Sequence, residues 1–130
     1  MSISIFTLCD CVQNYNGKIV IVGATNIIGV PSIPSMKIGM NVVARIVFEK
    51  KEEICRKFMM TIKKPSGKDL VSSMTFENKN IISPNDNELS NIDLIVGINN
   101  VVFDEEGKYS VVLNTEHESF CMSFVVKVQQ

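Results

Sequence analysis

"KYSVVLNTEHESFCMSFVVKV", residues 108–128, decides the fold class. Tyr109, Val111 and Leu113 fall on one face of the first half, with Lys108, Ser110 and Asn114 opposite. In the second half Phe120, Met122, Phe124, Val126 and Val128 align. A period of two is that of a half-buried strand, not of a helix. "TEHES" (115–119) closes the corner between the halves.

The same alternation recurs outward along the chain. In 91–98 Ile92, Leu94, Val96 and Ile98 share a face, and in 40–48 Met40, Val42, Ala44, Ile46 and Phe48 do, with Asn41 and Arg45 outward. Ile54, Phe58, Met60 and Ile62 repeat the pattern, as do Leu70, Met74 and Phe76. The breaks carry turn chemistry: Asn16-Gly17 signals a type I′ hairpin, and "EKKEE" (49–53), "KPSGK" (64–68) and "DEEGK" (104–108) read as further corners. Residues 29–39 and 78–90 read as connections, with Ile81 and Ile82 as a possible short strand in the second. No amphipathic helix stands out. About eight strands predict an all-β chain, an immunoglobulin-like antiparallel β-sandwich of seven to nine strands in a single domain, 1–130.

The bulk composition agrees. At 130 residues the chain buries roughly two thirds of its unfolded surface. Hydrophobic residues at 45% and charged residues at 21% describe a globular protein, and a net charge of −1 argues against a general nucleic-acid binder. No apolar run approaches the roughly 18 residues of a membrane span. "MSISIFTLCDC" lacks the basic start of a signal peptide. Four cysteines without an export signal suggest a reducing, cytoplasmic setting and free thiols.

"FDEEGKYSVVL" (103–113) sharpens the fold. An acidic turn, a glycine and a tyrosine at a strand start look like a tyrosine corner, in which the phenol bonds backbone a few residues upstream. Tyr109 is therefore the first structural candidate.

The head of the chain adds a likeness. Leu8, Asp10 and "NGKIVIVGATNII" (16–28), followed by "ARIVFEK" (44–50), "INNVVFDEEGKYSVVL" (98–113) and "FVVKV" (124–128), resemble a family of small, about 130-residue, uncharacterised bacterial proteins, a domain of unknown function. The resemblance covers most of the chain, implies a β-sandwich and carries no activity. Cys11 stands where the family has an ordinary packing residue.

Residues that could carry chemistry are few. Zinc needs about four ligands. Cys9, Cys11, Cys55, Cys121 and the sole histidine, His117, are the candidates, and only Cys9 and Cys11 are close in sequence. Strand phase places Cys55 and Cys121 outward. His117 sits between Glu116 and Glu118 at a hairpin tip, without a pocket. Asp104, Glu105 and Glu106 could offer oxygens to calcium, which wants six or more. No phosphate loop is present. The expectation is no cofactor and no metal.

Charge is uneven. Residues 45–68 hold eight of the thirteen basic residues against three acidic ones, a surplus of five that leaves the remainder at −6. A two-stranded ribbon bearing Lys50, Lys51, Arg56, Lys57, Lys63, Lys64 and Lys68 could face an acidic partner or a phosphate backbone. Alternatively, these cations protect an edge and keep it soluble.

In the stretch 6–23, a two-residue turn at Asn16-Gly17 pairs Tyr15 with Lys18, Val12 with Ile21, Cys11 with Val22, Asp10 with Gly23 and Cys9 with Ala24. Phe6, Leu8, Val12, Ile19, Ile21 and Ile27 form the large apolar face, and Cys9 and Cys11 share the other. Two strand rises separate these thiols, about 6–7 Å, too far for a disulfide. Asp10 then points with the apolar set opposite Gly23. Burial of its carboxylate demands partners, so Asp10 is expected to cap backbone N–H groups as a latch.

The reading is a non-enzymatic binding or assembly module for an unknown protein partner, with neither nucleic acid nor membrane. The alternative is a metal-dependent or thiol-based enzyme or regulator using Cys9, Cys11 and His117. If the basic segment does not serve a polyanion, a nucleic-acid column will not retain the protein. Tight retention that collapses between low and physiological salt would contradict this reading.

Overall fold

The computed structural model describes residues 1–78 and 88–129. Twelve strands account for most of them: β1 (Ser2–Cys9), β2 (Cys11–Tyr15), β3 (Lys18–Val22), β4 (Ile27–Val30), β5 (Ser35–Lys37), β6 (Met40–Phe48), β7 (Lys57–Lys63), β8 (Asp69–Glu77), β9 (Ser90–Ile98), β10 (Val101–Phe103), β11 (Gly107–Asn114) and β12 (Ser119–Val128). Among the described residues the only helical element is a three-residue 3-10 turn, Lys51–Glu53. No helix there is long and apolar enough to cross a membrane.

The all-β class follows from the alternation. A three-stranded sheet, β1-β6-β9, and a five-stranded sheet, β4-β12-β11-β7-β8, lie over one shared core. Strand β6 supplies Met40, Val42, Ala44, Ile46 and Phe48 to it, and β9 supplies Ile92, Leu94, Val96 and Ile98. From the other sheet come Phe58, Met60 and Ile62 of β7, Tyr109, Val111 and Leu113 of β11, and Phe124 and Val126 of β12. These are the residues that the period of two had gathered on common faces. The hairpins β2–β3 and β5–β10 form two further, two-stranded sheets.

Three features depart from the sequence expectation. Twelve described strands exceed seven to nine, because pieces of three to five residues contain too few alternations to register as a period. Residues 29–39, read as a connection, contain the end of β4 and all of β5. The β4–β12 pair is parallel, with Ile27 opposite Val125 and Val30 opposite Val128, so the sheets are not wholly antiparallel. The possible strand at Ile81 and Ile82 lies outside the described residues.

Tyr109 holds the corner. It is fully buried, and its hydroxyl donates to the Glu105 carbonyl at 2.8 Å. The ring stacks on Phe124 with centroids 5.2 Å apart and meets Phe103 edge-on at 5.4 Å. The chain must turn sharply to bring Glu105 back over the phenol, and Gly107 allows it at φ +127°. A Cβ at Gly107 would also press on the Pro65 ring at 3.2 Å. The acidic side chains fix the same turn from outside. Lys64 Nζ pairs with Asp104 at 3.1 Å, Glu105 accepts from the Ser66 amide and hydroxyl at 3.0 and 2.8 Å, and Glu106 accepts from the Val128 amide at 2.7 Å.

Tyr109→Phe should lower stability by about 1 kcal/mol, the net worth of one buried hydrogen bond, seen as a lower urea midpoint at unchanged slope. Burial pushes the phenol pKa up, so the folded state favours the protonated ring. That contribution is complete below the ordinary phenol value near 10 and is lost as pH rises through the raised one. The gap between the two proteins should therefore narrow in strongly alkaline buffer.

Candidate functional site

Strand β6 is apolar on one face and mixed on the other. Asn41, Val43, Arg45 and Val47 point away from the core, yet Val43 is fully buried. The β2–β3 hairpin is what lies over it. Its register is the one the Asn16-Gly17 turn predicts, with Tyr15 opposite Lys18, Val12 opposite Ile21 and Cys11 opposite Val22. Asn16 and Gly17 adopt φ of 50° and 78°, as a type I′ turn requires.

Outward polar side chains of β6 tether the hairpin at both ends. At its base, Asn41 Nδ2 donates to the Asp10 carbonyl at 2.9 Å. At its tip, Arg45 Nη2 donates to the Gly17 carbonyl at 3.0 Å. Arg45 is fixed in turn by its cross-strand neighbour Asp93, through Nε to Oδ1 at 2.7 Å and Nη2 to Oδ2 at 2.9 Å. That hydrogen bonding holds the guanidinium still more firmly protonated. A planar, bidentate pair constrains direction as well as charge.

The hairpin therefore has an inner and an outer face. Val12, Ile19 and Ile21 are half-buried beneath it. Tyr15, Val20 and Val22 stand on the outer face, 69%, 49% and 56% exposed, with Cys11, Gln13 and Lys18 around them. This exposed aromatic-aliphatic group on a tethered element is the candidate site. The turn predicts the hairpin and its pairing, but not that the large apolar side would face β6 and the smaller side, with Tyr15, stay open.

The expected latch differs in detail. Asp10 does oppose Gly23: its amide donates to the Val22 carbonyl at 3.0 Å, and a Cβ at Gly23 (φ +73°) would overlap the Asp10 carboxylate. But Asp10 is exposed, at a bend between β1 and β2. It holds the hairpin base through its backbone N–H and C=O, and among the described residues its carboxylate accepts no backbone N–H. The strand the sequence implied is broken there, which lets a charged side chain turn out to water.

The same bend separates the thiols. Cys9 is buried at the end of β1 and Cys11 is exposed on β2, so the two do not share a face. Burial, with Asp10 and Cys11 nearby, pushes the Cys9 thiol pKa up, away from the reactive thiolate. Cys121 is outward as predicted. Cys55 is not: it is fully buried in the core, because the chain around it is no regular strand and its phase does not carry over. All four thiols are unbridged.

His117 lies exposed in the turn between β11 and β12, its amide donating to Thr115 Oγ1 at 3.1 Å. Among the described residues, no three His, Cys, Asp or Glu side chains come together as a metal site. Asp104, Glu105 and Glu106, the possible calcium loop, each engage a protein donor as described above.

The basic ribbon is not a ribbon. Strand β6 belongs to the smaller sheet and β7 to the larger, the chain crossing between them through the turn at Lys51–Glu53. Nor is β7 an edge, since it lies between β11 and β8. Arg56 and Lys57 precede or begin β7, where Glu116 accepts from both of their amides at 3.1 and 3.2 Å. Lys63 and Lys64 are at its other end, roughly 20 Å away at 3.3 Å per residue, paired with Asp69 and Asp104. Lys50 and Lys51 belong to the 3-10 turn and Lys68 to the β7–β8 turn. Chain-local charge has thus been dispersed over two sheets and two ends.

Two clefts accompany these features. One, of about 190 Å³, is lined by Leu8, Cys9, Asp10, Ile28, Lys37 and Met40. The other, of about 260 Å³, opens between β8 and β9 beside Phe58, Phe76, Ile92, Leu94 and Val96. Both fall below the roughly 300 Å³ at which small-molecule pockets usually begin; a third, more open one of about 410 Å³, beside Phe6, Thr7, Ala24, Asn26 and Met122, exceeds it.

A family model described as "Family of unknown function (DUF6941)" matches residues 4–123. No curated protein matches the chain, and no solved structure matches it.

If Asn41 closes the hairpin base over the end of β1, Asn41→Ala should speed modification of Cys9 by a thiol reagent several-fold and leave Cys55, in the main core, unchanged. Site-resolved mass spectrometry reads both. Equal acceleration at the two sites would mean global destabilisation, not release of the hairpin.

Proposed function

The chain belongs to this family of unknown function, and we propose that it works as a non-enzymatic binding or assembly module whose recognition surface is the outer face of the β2–β3 hairpin. One observation carries the reading: Tyr15, Val20 and Val22 remain exposed on an element held by an amide at its base and an arginine at its tip. Preorganised apolar groups lose little freedom on binding. A tyrosine among aliphatics, rimmed by polar residues such as Gln13 and Lys18, has the make-up of a protein-interface centre. The fitting occupant is a protein surface with an apolar patch of its own. Lys18 is the only cation on the face, too little for a phosphate backbone.

The frame beneath is read as an immunoglobulin-like sandwich variant, on the support of two sheets over one core and the Tyr109 corner. Four unbridged cysteines accord with a reducing, cytoplasmic compartment.

The test compares affinity capture from the source cell with the protein, with Tyr15→Ser/Val22→Ser, and with Lys63→Ser/Lys68→Ser as a control surface. A partner retained by the first and third but not the second should then be purified. Calorimetry should show its Kd weakened at least roughly thirty-fold by the hairpin pair, as for one hot-spot residue. Unchanged binding by the hairpin variant would sink the assignment.

A further inference from the structure

Strand β12 changes its surroundings halfway along. From Val125 to Val128 it is flanked by β4, and the Val125 amide donates to the Asn26 carbonyl at 2.8 Å. From Ser119 to Ser123, among the described residues, no strand pairs with that side. Alternate residues of a strand turn their backbone groups the same way. Cys121 and Ser123 therefore present N–H and C=O on the side where Val125 meets β4.

The core is thinner there. Phe124 and Val126, beside β4, are 1% and 0% exposed. Phe120 and Met122, on the same face of the same strand, are only half-buried. So is Phe6, which reaches the core from β1, the edge of the smaller sheet. Phe6 and Met122 line the cleft of about 410 Å³, together with Thr25 and Asn26, and no charged residue does. Strands β8 and β9, which flank residues 79–87, are the far strands of their sheets.

Soluble proteins guard sheet edges with charge, proline, bulges, short strands or coverage. Across the cleft β1 has such a guard, a register break between Ile3 and Ile5. The run Ser119–Ser123, "SFCMS", has none. It holds no charge and no proline, and its register with β11 is unbroken.

We infer that this half of β12 is a strand-addition site, taking an extended, uncharged peptide segment of a partner protein in line with β4. Two needs met together define that occupant. A row of unpaired N–H and C=O groups asks for another backbone in extended form. Alternate side chains of such a strand then enter the cleft against Phe6, Phe120 and Met122. A small apolar molecule meets only the second need. A charged segment would bring its charge into a cleft without a counter-ion. The site shares no residue with the hairpin face proposed above.

A random heptapeptide library displayed on phage and panned on the full chain tests this. Enriched sequences should carry apolar residues at alternate positions and no charge between them. A synthetic peptide of the consensus should slow amide hydrogen exchange at Cys121 and Ser123. N-methylation of its alternate backbone nitrogens should weaken binding at least roughly tenfold in one phase, the one facing β12, and leave it unchanged in the other. That arm alters only the peptide, so it does not depend on the folding of any variant. Ser123→Pro removes an outward donor that β11 does not use and should weaken binding by a similar factor with an unchanged circular dichroism spectrum. Tyr15→Ser should leave binding intact. No enrichment, enrichment without alternation, or equal effects of the two methylation phases overturns the inference. So does protection of the β2–β3 hairpin or of Phe6 in place of β12.

Discussion

The Tyr109 hydroxyl bond to the Glu105 carbonyl is the contact on which the larger sheet depends. It is one bond, but it fixes where the chain leaves β10 and enters β11. Around it Phe103, Tyr109 and Phe124 form a single aromatic group in the core. Outside it three consecutive carboxylates reach the β7–β8 turn and the end of β12. An acidic turn that in isolation suggests an ion site is instead the point where three strand ends are gathered. The carboxylates find donors within the protein, so the local negative charge is balanced by structure.

The second constraint is the two-sided character of β6. A strand in a two-layer protein ordinarily shows water one of its faces. Here the outward face carries Asn41 and Arg45 at the spacing of the hairpin's base and tip, with Val43 between them. The hairpin is thus a third layer, made rigid by polar contacts and filled by a modest apolar interface. Its outer side pays no part of that stability, which leaves Tyr15, Val20 and Val22 available to serve another surface.

How much of this was legible depended on range. Local features were readable: the Asn16-Gly17 turn fixed a register that continues to Leu8 opposite Thr25, and the Gly107-Lys108-Tyr109 start placed the corner. Each rests on two to five adjacent residues whose backbone needs are specific. Long-range placement was not readable. The seven cations looked like one patch because they are neighbours in sequence, but β6 and β7 go to different sheets. Asp10 looked buried because alternation was carried through a bend, and Cys55 looked exposed because phase was carried into a segment that is not a strand. Strand β4 was hidden because its pairing partner is far along the chain and its own four residues are too few for a pattern. At the candidate site the hairpin and its pairing were readable, but the partner surface was read onto the cations rather than onto Tyr15, Val20 and Val22, and Ile27, placed with the large apolar face, is exposed.

The parallel β4–β12 pair has a consequence for synthesis. Ile27 pairs with Val125, a separation of 98 residues. At 5–20 residues per second the ribosome needs roughly 5–20 s to make that span. Throughout it β4 has no partner on that side, while the β2–β3 hairpin can close within microseconds and gains its tethers once β6 and β9 are made, still ahead of β12. The nascent chain therefore emerges with its proposed recognition element complete before the sheet that ends with β4 can be assembled. An early encounter with a partner, or with a chaperone, would meet the hairpin first.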